Sequence, residues 1–123
     1  MAWQLAAGGD EFRIDEDKYP MQFCADVPAD EAALMAVMQR PVTERAVSGG
    51  LSVSRPGRHT APSWFVFGEL DLTIPPAAPR FMAERAGALG TREVRGASHA
   101  VAVSRPDEVT VTILDAVPHV SGR

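Results

Sequence analysis

Two side chains in this sequence are suited to proton transfer as a pair. Asp71 sits in residues 68–76, G-E-L-D-L-T-I-P-P, and His99 in residues 96–101, G-A-S-H-A-V. A carboxylate beside an imidazole fixes the ring's orientation and stabilises its protonated form, as a general base requires. Each also has a structural alternative. Asp71 suits a turn or a helix cap before Pro75, and His99 suits a loop or a cap of the helix that follows. Cys24, the single cysteine, is a substitute nucleophile by its chemistry, but a small buried core residue is the favoured reading. His59, between Arg58 and Thr60, reads as a solvated loop histidine.

A sheet must bring Asp71 and His99 together. The run Ser63-Trp64-Phe65-Val66-Phe67, with Pro before and Gly after, predicts a strand buried on both faces, as in parallel sheets covered by helices. Residues 91–95 predict a second short strand. Between them Pro75 and Pro76 start a helix reaching Gly87, with Phe81, Met82 and Ala86 inward. The unit is β-α-β, of ordinary crossover length. In open α/β sheets, function gathers at the carboxyl ends of the strands. Asp71 follows the first strand and His99 the second, so parallel neighbours place both on one edge. Residues 109–113, V-T-V-T-I, alternate like a strand. Yet Ser104 can cap a helix, Pro106 suits its first turn, Asp107 and Glu108 follow, and Val109, Ile113, Ala116 and Val117 share a helical face. Helix is the preferred reading, with a tail from Pro118 that frays.

The N-terminal half is less regular. Residues 1–9 read as a loop or a loosely ordered start. Residues 10–24 are acidic and read as an extended loop with some local pairing, with Phe12, Ile14, Phe23 and Val27 free to point inward. Residues 28–40 predict a helix with Asp26 or Asp30 as its cap, Pro28 in the first turn, and Leu34, Met35, Val37 and Met38 on one apolar face. That face reads first as core and second as an adaptable lid over a pocket. Pro41 stops this helix and opens a short one to Val47, with Gly49 or Gly50 left-handed at its end. Residues 51–62, dense in Ser, Arg, Gly and Pro, read as a linker.

The 123 residues are 46% hydrophobic and 23% charged, values that fit one small globular domain or part of a larger one. The net charge is −4, with residues 1–31 at −6 and residues 32–123 at +2. The arginines are scattered, which excludes a nucleic-acid footprint, and no Gly-rich phosphate loop is present. No apolar run is long enough to span a bilayer, and no secretory signal is readable. One cysteine permits no internal disulfide and favours a reducing cytoplasm.

The motifs taken in order resemble the α/β-hydrolase family. The pattern is G-x-x-D-x-x-I-P-P at residues 68–76, R-A-G-A at 85–88, G-x-S-H-x-V at 96–101, then Ser104 and Pro106 before a final helix. The string F-C-A-D-V-P at 23–28, with the Met-rich helix up to Gln39-Arg40-Pro41, resembles the small cap of bacterial esterase-like members. The resemblance covers about residues 10–117. It implies an incomplete α/β-hydrolase fold: loop and helical cap at 1–50, linker at 51–62, a C-terminal β-α-β-α part at 63–117, and a tail at 118–123. It implies Asp71 as acid and His99 as base of a Ser-Asp-His triad acting on a small ester or related acyl substrate. Met35 and Met38 would line the substrate pocket, and no metal or organic cofactor is implied. The family's order is nucleophile, acid, histidine. The nearest string to G-x-S-x-G, residues 50–54, lacks the last glycine and lies in the linker. The expectation is a chain inactive alone, prone to self-association or completed by another polypeptide that carries the nucleophile. The alternatives are a non-catalytic remnant, a module that binds a ligand or partner, or one chain of a split hydrolase.

Overall fold

The computed structural model describes residues 3–5 and 11–120, with side chains from 11 to 119. The N-terminal part is a small antiparallel sheet backed by helices. Strand β1 (Trp3–Leu5) pairs with β2 (Glu11–Ile14), which pairs on its other side with β3 (Val42–Thr43). Helices α1 (Tyr19–Phe23) and α2 (Ala29–Met38) connect β2 to β3, and α3 (Glu44–Ser48) follows. Of the expected loop at 10–24, residues 11–24 are therefore more ordered than a loop: β2 has partners on both edges, and Pro20 sits in the first turn of α1, where its missing N–H costs nothing. The rest of the expected N-terminal loop, residues 1–2 and 6–10, and tail residues 121–123 lie outside the described residues.

The short helix expected from Pro41 starts later. Residues 42–43 are taken by β3, and Thr43 caps α3 by accepting the Ala46 N–H at 3.3 Å. Gly49 closes α3 with φ −72°, so no left-handed residue is needed there. Residues 51–62 hold one short 3-10 turn, Gly57–His59, and are mostly exposed.

The C-terminal part is β-α-β-α. Strands β4 (Trp64–Gly68) and β5 (Gly90–Val94) pair in parallel, Trp64 opposite Gly90 and Gly68 opposite Val94. Helix α4 (Ala77–Ala86) joins them. It ends where Gly87, at φ +60°, turns left-handed and returns its N–H to Ala83 and Glu84. Helices α5 (Val101–Ser104) and α6 (Pro106–Val120) complete the chain. The final segment is a helix, as preferred. It continues through Pro118 to Val120, because a proline this near the end removes few helical bonds.

Two apolar clusters hold the described residues together. One joins Ile14, Tyr19, Cys24, Val27, Ala32, Ala36 and Ala100, with Phe23 and Met35 against it. The other joins Val94, Ala97 and Val101, with Val66 and Val109. In the first, α2 approaches through Ala32 and Ala36, whereas in the second α5 and α6 contribute Val101 and Val109. On α2 the inward face is Ala32 and Ala36, while Leu34, Val37 and Met38 are exposed. On α4 it is Ala83, while Phe81, at 60% exposure, and Met82 face out. On α6, Thr112 is buried and Ile113 and Val117 are exposed. These three faces correct the inward sets expected from periodicity. Small side chains allow close backbone approach, and a pattern weighted by hydrophobicity overlooks them. The strand Trp64–Gly68 is buried only at its carboxyl end, Phe67 and Gly68, while Trp64, Phe65 and Val66 are half-buried. Gln39 supplies a link with no local sequence signal. Its side-chain amide accepts the Ile14 N–H at 2.9 Å and donates to the Ile14 and Ala36 carbonyls at 2.8 and 3.0 Å.

Candidate active site

The parallel register sets the geometry. Gly68 and Val94 end their strands level with each other, so the loops after β4 and β5 emerge side by side. They are laced together by the Glu69 N–H to Val94 (3.0 Å), the Leu70 N–H to Ala97 (2.9 Å) and the Gly96 N–H to the Glu69 carboxylate (2.9 Å). Gly68 is required at the crossing point. A Cβ there would lie 2.2 Å from the Ser98 carbonyl oxygen and 2.3 Å from that of Ala97, and neither backbone atom can yield cheaply. Gly96, at φ +70°, makes the turn into the second loop.

On this scaffold His99 Nδ1 lies 2.7 Å from Asp71 Oδ2. An ionised carboxylate only accepts hydrogen bonds, so Nδ1 carries the hydrogen and neutral His99 presents Nε2 as a lone pair. The second oxygen of Asp71 is held as well: Oδ1 accepts the N–H groups of Thr73 and Ile74, both at 2.8 Å. Asp71 is buried at 6% exposure, while the His99 side chain keeps 26%. The acid is fixed and shielded, and the imidazole remains within reach of a reactant. The edge of Phe23 packs against the His99 ring at a centroid distance of 4.6 Å, and Tyr19 stacks on Phe23 at 4.8 Å. Phe23 thus walls one side of the imidazole, with Tyr19 stacked against Phe23.

The other sequence candidates fall elsewhere. Met35 packs against the cluster that contains Ala100, the residue after His99, whereas Met38 is 68% exposed. Cys24 is 1% exposed, and burial, with Asp26 and Glu31 nearby, pushes its thiol up, which opposes formation of the reactive thiolate. Among the described residues no hydroxyl or thiol hydrogen-bonds to His99, whose bond is to Asp71. No group of three or more His, Cys, Asp and Glu among them is arranged to hold a metal ion. No helix among them is long and apolar enough to cross a membrane.

Sequence reading offered Asp26 or Asp30 as the cap of α2. The residue at the cap is Pro28, with no side-chain bond, and Asp26 instead accepts the Ser98 N–H at 3.1 Å and pairs with Arg105 at 3.1 Å. Burial alone would raise the Asp26 carboxyl. The neighbouring Ser98 and Ser104, the Ser98 amide among them, and the Arg105 charge outweigh it and hold the group below the ordinary carboxylate range.

Comparison with known proteins identifies the fold and the family. Solved structures that share the fold include two esterases and a mutant of one of them. A methylesterase protein from Arabidopsis superposes with a TM-score of 0.82 at 14% identity, over 96% of this chain and 53% of its own. Polyneuridine aldehyde esterase gives 0.73 at 16% identity, over 94% and 47%, and a mutant of that esterase gives 0.69 at 18%, over 93% and 46%. The chain thus spans about half the length of the structures it matches. No curated protein matches it in sequence. The model of the alpha/beta hydrolase family matches residues 1–112, nearly the whole chain. With an α/β fold, and an acid and a histidine meeting beyond two parallel strands, the chain belongs to the α/β-hydrolase family.

Proposed function

We propose that this chain carries the acid and base of a serine-dependent esterase, with the nucleophile supplied by residues outside it. The observation that carries the proposal is the 2.7 Å contact between His99 and an Asp71 whose other oxygen is held by two backbone amides. Carboxylic-ester hydrolysis is supported by family membership and by solved structures named as esterases. In the proposed reaction, His99 Nε2 takes the proton from a serine hydroxyl as its oxygen attacks the ester carbonyl. The tetrahedral intermediate collapses, and the leaving alkoxide takes that proton from Nε2. Water repeats the sequence on the acyl-enzyme, releasing the carboxylic acid and regenerating the serine. Asp71 stays ionised throughout and stabilises the imidazolium formed twice per turnover. Phe23 beside the imidazole, with Met35 packed against the same cluster, would give an apolar side for a small acyl or aryl group.

The test uses the purified 123-residue chain, alone and co-expressed with a polypeptide carrying a G-x-S-x-G half encoded next to it. Alone, the chain hydrolyses p-nitrophenyl acetate no faster than buffer and takes up no fluorophosphonate. The pair hydrolyses the ester, and His99→Ala removes on the order of 10³-fold or more of that rate. Hydrolysis that survives His99→Ala would sink the reading.

A further inference from the structure

The loops bearing Asp71 and His99 are tied to each other, and both are also tied to one short stretch of the N-terminal half, residues 22–26. Three observations carry this. The residues on either side of His99 donate their backbone N–H groups there, Ser98 to Asp26 Oδ1 at 3.1 Å and Ala100 to the Phe23 carbonyl at 3.0 Å. Thr73, which holds Asp71 Oδ1 through its N–H, donates its hydroxyl to the Gln22 carbonyl at 2.9 Å. The Phe23 ring rests on the imidazole itself.

We infer that Asp26 is a positioning residue for His99, setting the height and tilt of the imidazole over Asp71 through the Ser98 amide. The choice of Asp26 within the stretch follows from the chemistry. The other ties use main-chain carbonyls that any residue supplies, whereas the Ser98 N–H is received by a side chain. That side chain is charged and largely buried, and its Oδ2, which accepts no hydrogen bond among the described residues, lies 3.1 Å from the Arg105 guanidinium. Its Oδ1 is the oxygen that receives the Ser98 N–H, and the Arg105 charge beside Oδ2 attracts the carboxylate toward that position. The structure holds no comparable restraint on the Ser98 amide from elsewhere among the described residues. Asp26 touches neither Nε2 nor Asp71, so its effect passes through the loop. The inference rests on the esterase reading for its functional meaning, but its geometry can be tested without turnover.

The test follows the His99 Nδ1 proton by NMR in the full chain. A ring held against Asp71 protects this proton from exchange with water, and a merely structural loss of stability would not single it out. Asp26→Ala is expected to speed its exchange by about tenfold while resonances of β4 and β5 stay in place. Asp26→Asn, which keeps an oxygen for the Ser98 N–H, is expected to remain within about threefold of the parent. Equal exchange in the parent and Asp26→Ala overturns the inference, as does acceleration in Asp26→Asn equal to that in Asp26→Ala. If Asp26→Ala fails to fold by circular dichroism, Arg105→Gln decides. Removing the charge beside Oδ2 then speeds exchange measurably, and no change overturns the inference. Because no ester is used, loss of the esterase reading would leave these outcomes intact.

Discussion

The corner around Asp71 and His99 and the outer helical faces are built on opposite terms. At the corner, residues far apart in sequence are bonded to one another: Ser98 to Asp26, Ala100 to Phe23, Thr73 to Gln22, and Gly96 to Glu69. On the outer faces of α2, α4 and α6, large apolar side chains such as Leu34, Phe81 and Leu114 stand largely in the open. The corner is over-determined by directional bonds, whereas the faces keep large apolar side chains in solvent. Order at a reactive site can therefore be set by hydrogen bonding within this stretch of chain while the layers around it remain uncovered.

The largest expected effect tests the crowding under the corner. Gly68→Ala would drive a methyl group into the Ala97 and Ser98 carbonyls, and we expect a loss of about 3 kcal/mol or more in urea unfolding. A loss below about 1 kcal/mol would show that the loops can part easily. Next comes Gln39→Ala, which strips the Ile14 N–H and carbonyl of their side-chain partner. It should cost about 2 kcal/mol by the same measurement. A third test is acid titration. The Asp26 carboxyl lies below its ordinary value of 3.8 in the folded chain, so its contribution is complete above that pH and is lost as the pH falls through the folded value. Asp26→Asn should therefore flatten the stability profile below pH 3.8 and leave its shape near neutrality unchanged. The smallest effect belongs to the open faces. Phe81→Ser should change unfolding by about 0.5 kcal/mol or less, because the ring is already in water. A cost approaching that of Gly68→Ala would mean that a second molecule covers this face in solution and would erase the contrast.

Much of the C-terminal half was legible in the sequence because its signals are local. Four large apolar residues before Gly68 announce β4, Gly87 marks the end of α4, and Pro106 with Asp107 and Glu108 opens α6. Strand direction then places Asp71 and His99 on one edge. The inward faces of the helices were misread for a physical reason. Ala32, Ala36 and Ala83 carry the closest packing, but burying a methyl gains little per residue, so the larger neighbours Leu34, Val37 and Phe81 dominate any hydrophobic periodicity. Asp26 was misread for a different reason. An acid two residues before Pro28 carries the local signature of a cap, and nothing within its own segment reveals an amide 72 positions away. Gln39 had no signature at all, because its partners on Ile14 are main-chain atoms that any residue would offer.

The ties from residues 22–26 have a consequence for recombining this protein with its relatives. A chimera that exchanged the N-terminal helices while keeping the parent's β4 and β5 would cut through the lattice that seats the imidazole. Residues 22–26, 68–74 and 94–105 would have to move together for the Asp71–His99 pair to keep its ties, although they come from three separate stretches of the chain.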